Sequence, residues 1–366
     1  MVNLYLTVIA GGSGTRFWPK STAKRPKQLL SFGKTTGEKT ATGTNSPSLL
    51  RQTLDRFDGL VPKNSDNRMV ITTRHLKQAV LDECENVSIY AEPQGRNTAP
   101  CIYWGARLIA ESNPSGVMLV MPADHYIAHP DKFIETVRSA VEWASVHDDL
   151  VTLGVRPSRP ETGYGYLKVG PMLEPGSSSG AISCRRVEAF VEKPNLARAQ
   201  EFLAQGDYLW NGGMFVWRAE VILRVFDDFM PEMRKTWDAV RGNVDLAYPG
   251  LTATSIDYGI MEKARNVVSF PLDCGWDDLG SWTSLEGIAE VIGANRDGNV
   301  VIGGDILGIE AKGNIVDAPD KLVAMLGVHD LIVVEQGGAI LVADKKRAQD
   351  IKLIVDKLKT TRPDLV

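Results

Sequence analysis

The stretch from Leu4 to Gln28, LYLTVIAGGSGTRFWPKSTAKRPKQ, constrains this chain more than any other. Leu4 to Ala10 is a run of apolar β-formers, the pattern of a buried strand. It stops at Gly11-Gly12-Ser13-Gly14, and Thr15-Arg16 follow. Glycines at this density permit positive φ and let backbone N–H groups approach an anion with no Cβ in the way. Arg16, Lys24, Arg25 and Lys27 come within a few residues. Strand, glycine turn and cation cluster together predict a cradle for a polyphosphate. Neither common nucleotide motif fits. A dinucleotide fingerprint begun at Gly12 needs glycine where Phe17 stands, and a P-loop ending at Gly33-Lys34-Thr35 needs its first glycine where Gln28 stands.

The rest of the chain predicts an α/β fold. Apolar strands such as Arg68–Thr72, Val87–Tyr90 and Val117–Met121 alternate with helical patterns such as Leu49–Phe57, His75–Glu83 and Cys101–Glu111. That alternation argues for a Rossmann-like, mixed but mainly parallel sheet flanked by helices. After about Asn295 short apolar pieces recur between Gly, Asn and Asp residues, which predicts a small β-rich solenoid or sandwich with a helix over Lys345–Leu358. We expect a domain at 1–290 and a small β domain at 291–366. The polar stretch 34–48 is expected to be an exposed loop, and 174–183 a hairpin-like one.

Charge narrows the partners. A net charge of −4 excludes a general nucleic-acid or membrane-surface binder, so local cation clusters mean local anion sites. No apolar run approaches a membrane span, and a strand beginning at Leu4 leaves no room for a signal peptide. Cys84, Cys101, Cys184 and Cys274 are scattered, the pattern of free thiols in a reducing cytoplasm.

Further motifs sit at strand ends. Glu92-Pro93-Gln94-Gly95-Arg96-Asn97-Thr98-Ala99-Pro100 leads into a helix that Asn97 or Thr98 can cap, and Glu92 and Gln94 before it can read the edge of a base. Asp124 follows the buried strand Val117–Met121, where open α/β sheets bind ligands, and is a candidate metal ligand. Gly163-Tyr164-Gly165-Tyr166 offers backbone and rings to a flat ligand or else forms a hairpin corner. Asn211, before Gly212-Gly213, is placed to bond a hydroxylated ligand, and Asp278 provides a second acidic site.

Taken in order, these motifs resemble the sugar-1-phosphate nucleotidyltransferases, specifically the mannose-1-phosphate guanylyltransferase branch. The matching residues are Gly11 to Arg16 with Pro26-Lys27-Gln28, Glu92 to Pro100, and Pro122-Ala123-Asp124-His125-Tyr126-Ile127. They continue through Gly163 to Tyr166, Val191-Glu192-Lys193-Pro194, Trp210-Asn211-Gly212-Gly213-Met214-Phe215, Ser255-Ile256-Asp257-Tyr258 and Gly275-Trp276-Asp277-Asp278-Leu279-Gly280-Ser281-Trp282. The resemblance covers nearly the whole chain.

It implies that GTP and mannose 1-phosphate give GDP-mannose and pyrophosphate. Gly11, Gly12, Gly14 and Arg16 would hold the GTP phosphates with Lys27 beside them. Glu92 and Asn97 would read guanine. Asp124 and Asp278 would bind one Mg²⁺. Gly163, Glu192 and Asn211 would hold the mannose hydroxyls, and Lys193 the sugar phosphate. It also implies a β-helix-like C-terminal domain and a homodimer. Departures from the pattern are Gly212 where Ser is commoner, Gly259 where Ala is usual, and Asp277 beside the expected metal ligand. The chain is also expected to lack the isomerase module of bifunctional relatives.

Overall fold

The structure is a computed structural model that describes residues 2–12, 14–32, 47–63, 66–173, 182–290, 292 and 294–366. The expected loops at 34–48 and 174–183 lie almost wholly outside the described residues. Among the described residues, eleven strands precede the C-terminal segment: β1 Leu4–Ile9, β2 Arg68–Thr73, β3 Ser88–Glu92, β4 Val117–Pro122, β5 Tyr126–Ile127, β6 Leu150–Val155, β7 Tyr166–Met172, β8 Arg185–Val191, β9 Tyr208–Arg218, β10 Val267–Leu272 and β11 Trp276–Asp277. Nine of them form one sheet in the order β3-β2-β1-β4-β9-β6-β10-β8-β7. β3, β2, β1 and β4 run parallel, as do β6 and β10, while β9 and β8 run against their neighbours. The chain leaves β1 toward β2 and β3, then returns to add β4 on the other side. The β1/β4 junction is therefore a topological switch point, where the strand ends open a crevice.

Hydrophobic pattern explains the layers. β1, β2, β4 and β6 are buried along nearly their whole length, as central strands covered on both faces must be. The helix Pro130–Val146 turns Phe133, Val137, Ala140, Val141 and Ala144 into one core, and Thr98–Ser112 turns Ile102, Tyr103, Ala106 and Ile109 into the other. β5 and β11 make a separate two-stranded ribbon, Tyr126 opposite Asp277 and Ile127 opposite Trp276. That ribbon brings the turn after β4 next to a segment some 150 positions later.

The C-terminal segment is a solenoid rather than a sandwich. Its strands are β12 Asn295–Arg296, β13 Asn299–Ile309, β14 Ile315–Leu326, β15 Leu331–Gln336 and β16 Ala339–Asp344. β13, β14 and β15 stack in parallel, with Val300 beside Ile315 and Ile315 beside Ile332. Buried Asn299 and Asn314 form a ladder at one corner, Asn314 Nδ2 donating to Asn299 Oδ1 at 2.9 Å. Each also donates its amide to a backbone carbonyl, Asn299 to Ala311 and Asn314 to Val328. Buried amides need such complete pairing. The expected helix over Lys345–Leu358 is split into a 3₁₀ turn, Lys345–Asp350, and an α-helix, Ile351–Thr361.

This solenoid is packed onto the first part of the chain. Phe17 and Trp18, just after the glycine loop, share one buried cluster with Trp282, Ile315, Ile332, Leu341, Ile351 and Val355. Trp18 Nε1 donates to the Leu365 carbonyl at 2.8 Å, and Lys20 is ion-paired with buried Asp317.

Candidate active site

A cavity of about 430 Å³ opens at the carboxyl ends of the central strands. It is lined by Gly11, Gly12, Glu92, Asn97, Asp124, Gly163, Glu192, Asn211 and Asp278, nine of the expected site residues. Strand order arranges them across the sheet edge: Glu92 ends β3, Gly11 follows β1, Asp124 follows β4, and Asn211 lies on β9. Asp124 thus falls between the expected base-reading and sugar-holding residues, and Asp278, after β11, lines the same cavity.

The glycine loop is held from behind. Gln28, buried, donates Nε2 to the carbonyls of Ala10 (2.8 Å) and Gly12 (3.1 Å), and Ser21 Oγ donates to the Gly14 carbonyl at 2.6 Å. Gly14 has φ 57°, and a Cβ there would meet Lys27 Cβ at 2.4 Å. Glycine is required at that point by conformation and by space alike. Gly14 lets Lys27 pass close behind the loop.

Lys27 links the two acidic segments. Its Nζ pairs with Asp124 Oδ2 at 2.8 Å and donates to the Asp278 carbonyl. Burial alone would push the Asp124 carboxyl up, but the Lys27 ammonium, the neighbouring His125 and hydrogen bonds to the carboxylate together hold it below its ordinary value. Tyr164 donates its hydroxyl to Asp278 Oδ1 at 2.6 Å. Asp277 differs: it is buried and its Oδ1 accepts the Leu279 N–H at 2.7 Å. Burial and the neighbouring Asp278 charge push it up to about 6. Among the described residues no group of three or more His, Cys, Asp or Glu could enclose a metal. Two carboxylates facing a cavity suit an ion that keeps waters and takes phosphate oxygens, as Mg²⁺ does.

At the β3 end, Glu92 is buried and accepts the Tyr248 hydroxyl at 2.9 Å, and burial pushes its carboxyl up to about 7. Asn97, at φ 65°, caps the helix Thr98–Ser112 by accepting the Thr98 N–H. At the β9 end, the Asn211 amide is largely committed to the protein. It donates to Asp257 Oδ1 at 2.8 Å and accepts from Gly213 N and Thr152 Oγ1, leaving one amide hydrogen for a ligand. Burial, then the Glu192 charge, push Asp257 up to about 6.

Cations occupy an adjoining basin of about 640 Å³, lined by Arg16, Arg159 and Lys193 together with Gly163, Tyr164, Asp277 and Asp278. Arg16 donates to the Gly280 carbonyl at 3.2 Å, and Lys193 is ion-paired with Glu192. Arg159 lies over the Trp210 ring at 5.3 Å. Gly163, Tyr164 and Asp278 belong to both spaces, so the cation basin opens beside the acidic pair.

Residues 6–294 match the Nucleotidyl transferase family model, and 304–358 the MannoseP isomerase/GMP-like beta-helix domain. The chain is 38% identical to the mannose-1-phosphate guanylyltransferase ManC of Salmonella typhimurium, over 97% of this chain and 73% of that one. It is 36% identical to a mannose-1-phosphate guanylyltransferase of Escherichia coli K12, with the same coverage. The chain belongs to the mannose-1-phosphate guanylyltransferase family. A solved structure from Thermus thermophilus, named a mannose-1-phosphate geranyltransferase, superposes with a TM-score of 0.84 at 32% identity and covers 98% of this chain and 100% of that one.

Within this member of the guanylyltransferase family, several site residues carry no role in the sequence reading. Tyr248 and Asp257 reach partners 156 and 46 positions away, which no local spacing encodes, and Arg159 bonds nearby Glu161 while lying over Trp210; Tyr164, expected as a ring beside a flat ligand or at a hairpin corner, donates to Asp278 114 positions away. The pair of tyrosines at 164 and 166 is the one signal available beforehand. The Gly212 departure is sterically fixed, since a Cβ there would come within 2.7 Å of the Leu153 carbonyl.

Proposed function

We propose that this chain transfers a guanylyl group from GTP to mannose 1-phosphate, giving GDP-mannose and pyrophosphate. The observation that carries the reading is one cavity at the strand ends that gathers Glu92 after β3, the glycine loop after β1, Asp124 after β4 and Asn211 on β9, with Asp278 in its wall and three cations in the adjoining basin. A phosphate oxygen of the sugar attacks the α-phosphorus, and the bond to the bridging oxygen breaks, its electron pair leaving with pyrophosphate. Two polyanions must meet, so catalysis is positioning and charge neutralisation, with no covalent nucleophile on the protein.

Arg16 and Lys27 neutralise the triphosphate, and Lys193 the incoming monoester. Glu92 accepts from guanine N1–H and N2–H₂, with Asn97 beside it. Gly163, Glu192 and Asn211 bond the mannose hydroxyls. Asp124 and Asp278 would hold Mg²⁺, which when bound screens the phosphate charge and polarises the α-phosphorus. Exposed Leu307, Ile309, Leu322 and Leu326 on the solenoid support a homodimer, to be checked by light scattering. Four buried free thiols support a cytoplasmic setting; among the described residues no helix is long and apolar enough to cross a membrane.

The test is pyrophosphate release from purified protein across GTP, ATP, UTP and dTTP, each with several sugar 1-phosphates. GTP with mannose 1-phosphate should be the preferred pair; a preference for UTP or dTTP with glucose 1-phosphate would replace this reading.

A further inference from the structure

Glu92 ends β3 with one carboxylate oxygen tied and one free for the cavity. Oε1 accepts the Tyr248 hydroxyl, 156 positions away, at 2.9 Å. Oε2 lies toward Gly11, where a Cβ would stand 3.5 Å from it. Tyr248 is fully buried, its ring edge-on to Trp104 at 5.8 Å and to Trp237 at 6.3 Å. That aromatic stack fixes the ring, so the hydroxyl is aimed rather than adaptable.

We infer that Tyr248 sets the base choice: its hydroxyl, donated to Glu92 Oε1, favours the carboxylate that accepts from guanine, and discrimination against adenine weakens when that bond is removed or when Glu92 is protonated. The inference rests on the reading of Glu92 as the acceptor for guanine.

The chemistry of the two carboxyl states carries it. An ionised carboxylate only accepts, which matches the N1–H and N2–H₂ donors of guanine. A protonated carboxyl in the same place can turn its O–H toward N1, where it opposes the N1–H donor of guanine and meets the N1 acceptor of adenine. Protonating one residue therefore exchanges which base finds a partner at N1 and lowers the preference for guanine.

The surroundings make that exchange accessible near neutral pH. Burial pushes Glu92 up to about 7, and the Tyr248 hydroxyl is the group opposing it. The Tyr248 hydroxyl is itself pushed up by burial, so it stays a donor. On the helix Thr98–Ser112 the facing titratable group is the Cys101 thiol, which burial keeps protonated. The glycine loop presents Gly11 backbone, and β2 presents Thr73; neither carries charge. Arg74, next along, is paired with Asp245 at the surface.

The experiment measures kcat/KM for GTP and for ATP, with mannose 1-phosphate, from pH 6 to pH 8.5, in the native protein, Tyr248→Phe and Glu92→Gln. Taking the GTP/ATP ratio cancels every group that serves both nucleotides, and a general loss of folding lowers both alike. The native ratio should fall about tenfold from pH 8 to pH 6, following the ionised fraction of the free enzyme. In Tyr248→Phe the midpoint should rise by about one pH unit or more, so that the ratio at pH 7 drops at least roughly fivefold. Glu92→Gln should give a low ratio that does not vary with pH.

A native ratio that stays flat across the range overturns the inference, whether or not Tyr248→Phe folds. A folded Tyr248→Phe with the native ratio and profile, while Glu92→Gln has lost discrimination, overturns the role of Tyr248 and leaves Glu92 as the base reader. Full discrimination in Glu92→Gln removes the base-reading assignment itself, and the inference with it.

Discussion

Lys27 and Asp124 form an ion pair whose halves are unequally covered: at an Nζ–Oδ2 distance of 2.8 Å, the lysine side chain is 9% exposed and the carboxylate 31%. The cation is sheltered by the glycine loop, and the anion faces the cavity. Lys27 can hold Asp124 ionised without filling its other oxygen. Asp124→Asn should therefore remain folded and lose at least about a hundredfold in turnover at saturating Mg²⁺, the size of effect expected from losing a preorganised charge at the reacting phosphate. Turnover against Mg²⁺ concentration, with a melting curve for each protein, checks this; near-native Mg²⁺-dependent turnover in a folded variant would remove Asp124 from the metal site.

Asp277 and Asp278 should separate cleanly. Asp277 spends its carboxylate on the Leu279 N–H, whereas among the described residues the Asp278 carboxylate accepts from the Tyr164 hydroxyl alone, in the shared wall of the two spaces. Asp277→Ala leaves a buried donor unpaired and should cost about 1–3 kcal/mol of stability. Asp278→Asn should keep the melting temperature within a few degrees and abolish most turnover. Comparing melting and kcat for both variants tests the pair; the reverse pattern would move the metal to Asp277.

Stability should depend on pH through Glu92 in a direction unusual for a carboxylate. Folded, it holds its proton up to about 7, against an ordinary value of 4.5. The stabilisation is complete below about pH 4.5 and is lost as pH rises through about 7, because above that the buried group must be charged. Glu92→Gln cannot lose it. The stability difference between variant and native protein should shift in favour of the variant by on the order of 3 kcal/mol between pH 4.5 and pH 8. Urea titrations of the nucleotide-free proteins across that range measure it, and a constant difference would refute it.

Removing the chain after about Asn295 should do more than shorten the protein. Phe17, Trp18 and Trp282 would lose the solenoid side chains that bury them. The truncated protein should be poorly soluble or inactive toward GTP. Phe17→Ala in the full chain should cost about 3–5 kcal/mol as a large buried aromatic replaced by a cavity. A soluble, fully active truncated chain would show that the glycine loop needs no such backing.

Much of this site is legible in the sequence because its backbone parts are local. Strand-then-glycine at Leu4–Gly14, the cap at Asn97 and the acid after β4 are each encoded within about ten residues, and they stand where the pattern puts them. The partners that tune these groups are not local. Tyr248 reaches Glu92, Tyr164 reaches Asp278 and Asp257 reaches Asn211 over separations of 156, 114 and 46 positions, so periodicity is silent about them. The solenoid lies between these cases. Gly298-Asn299 and Gly313-Asn314 repeat at the interval that separates Val300 from its neighbour Ile315. Two copies are too few to stand out from the many other Gly and Asn turns, and only the buried ladder distinguishes them.

The contact between Trp18 and the Leu365 carbonyl carries a consequence for how the protein comes into being. A ribosome releases the glycine loop long before the segment that braces it, with 347 positions between Trp18 and Leu365. Domains fold as they emerge, amino end first, so the central sheet can assemble while Phe17 and Trp18 still lie uncovered. The glycine loop is thus made well before its backing is complete. A chain stalled before the solenoid carries an exposed aromatic pair beside its own active site, a ready target for chaperones.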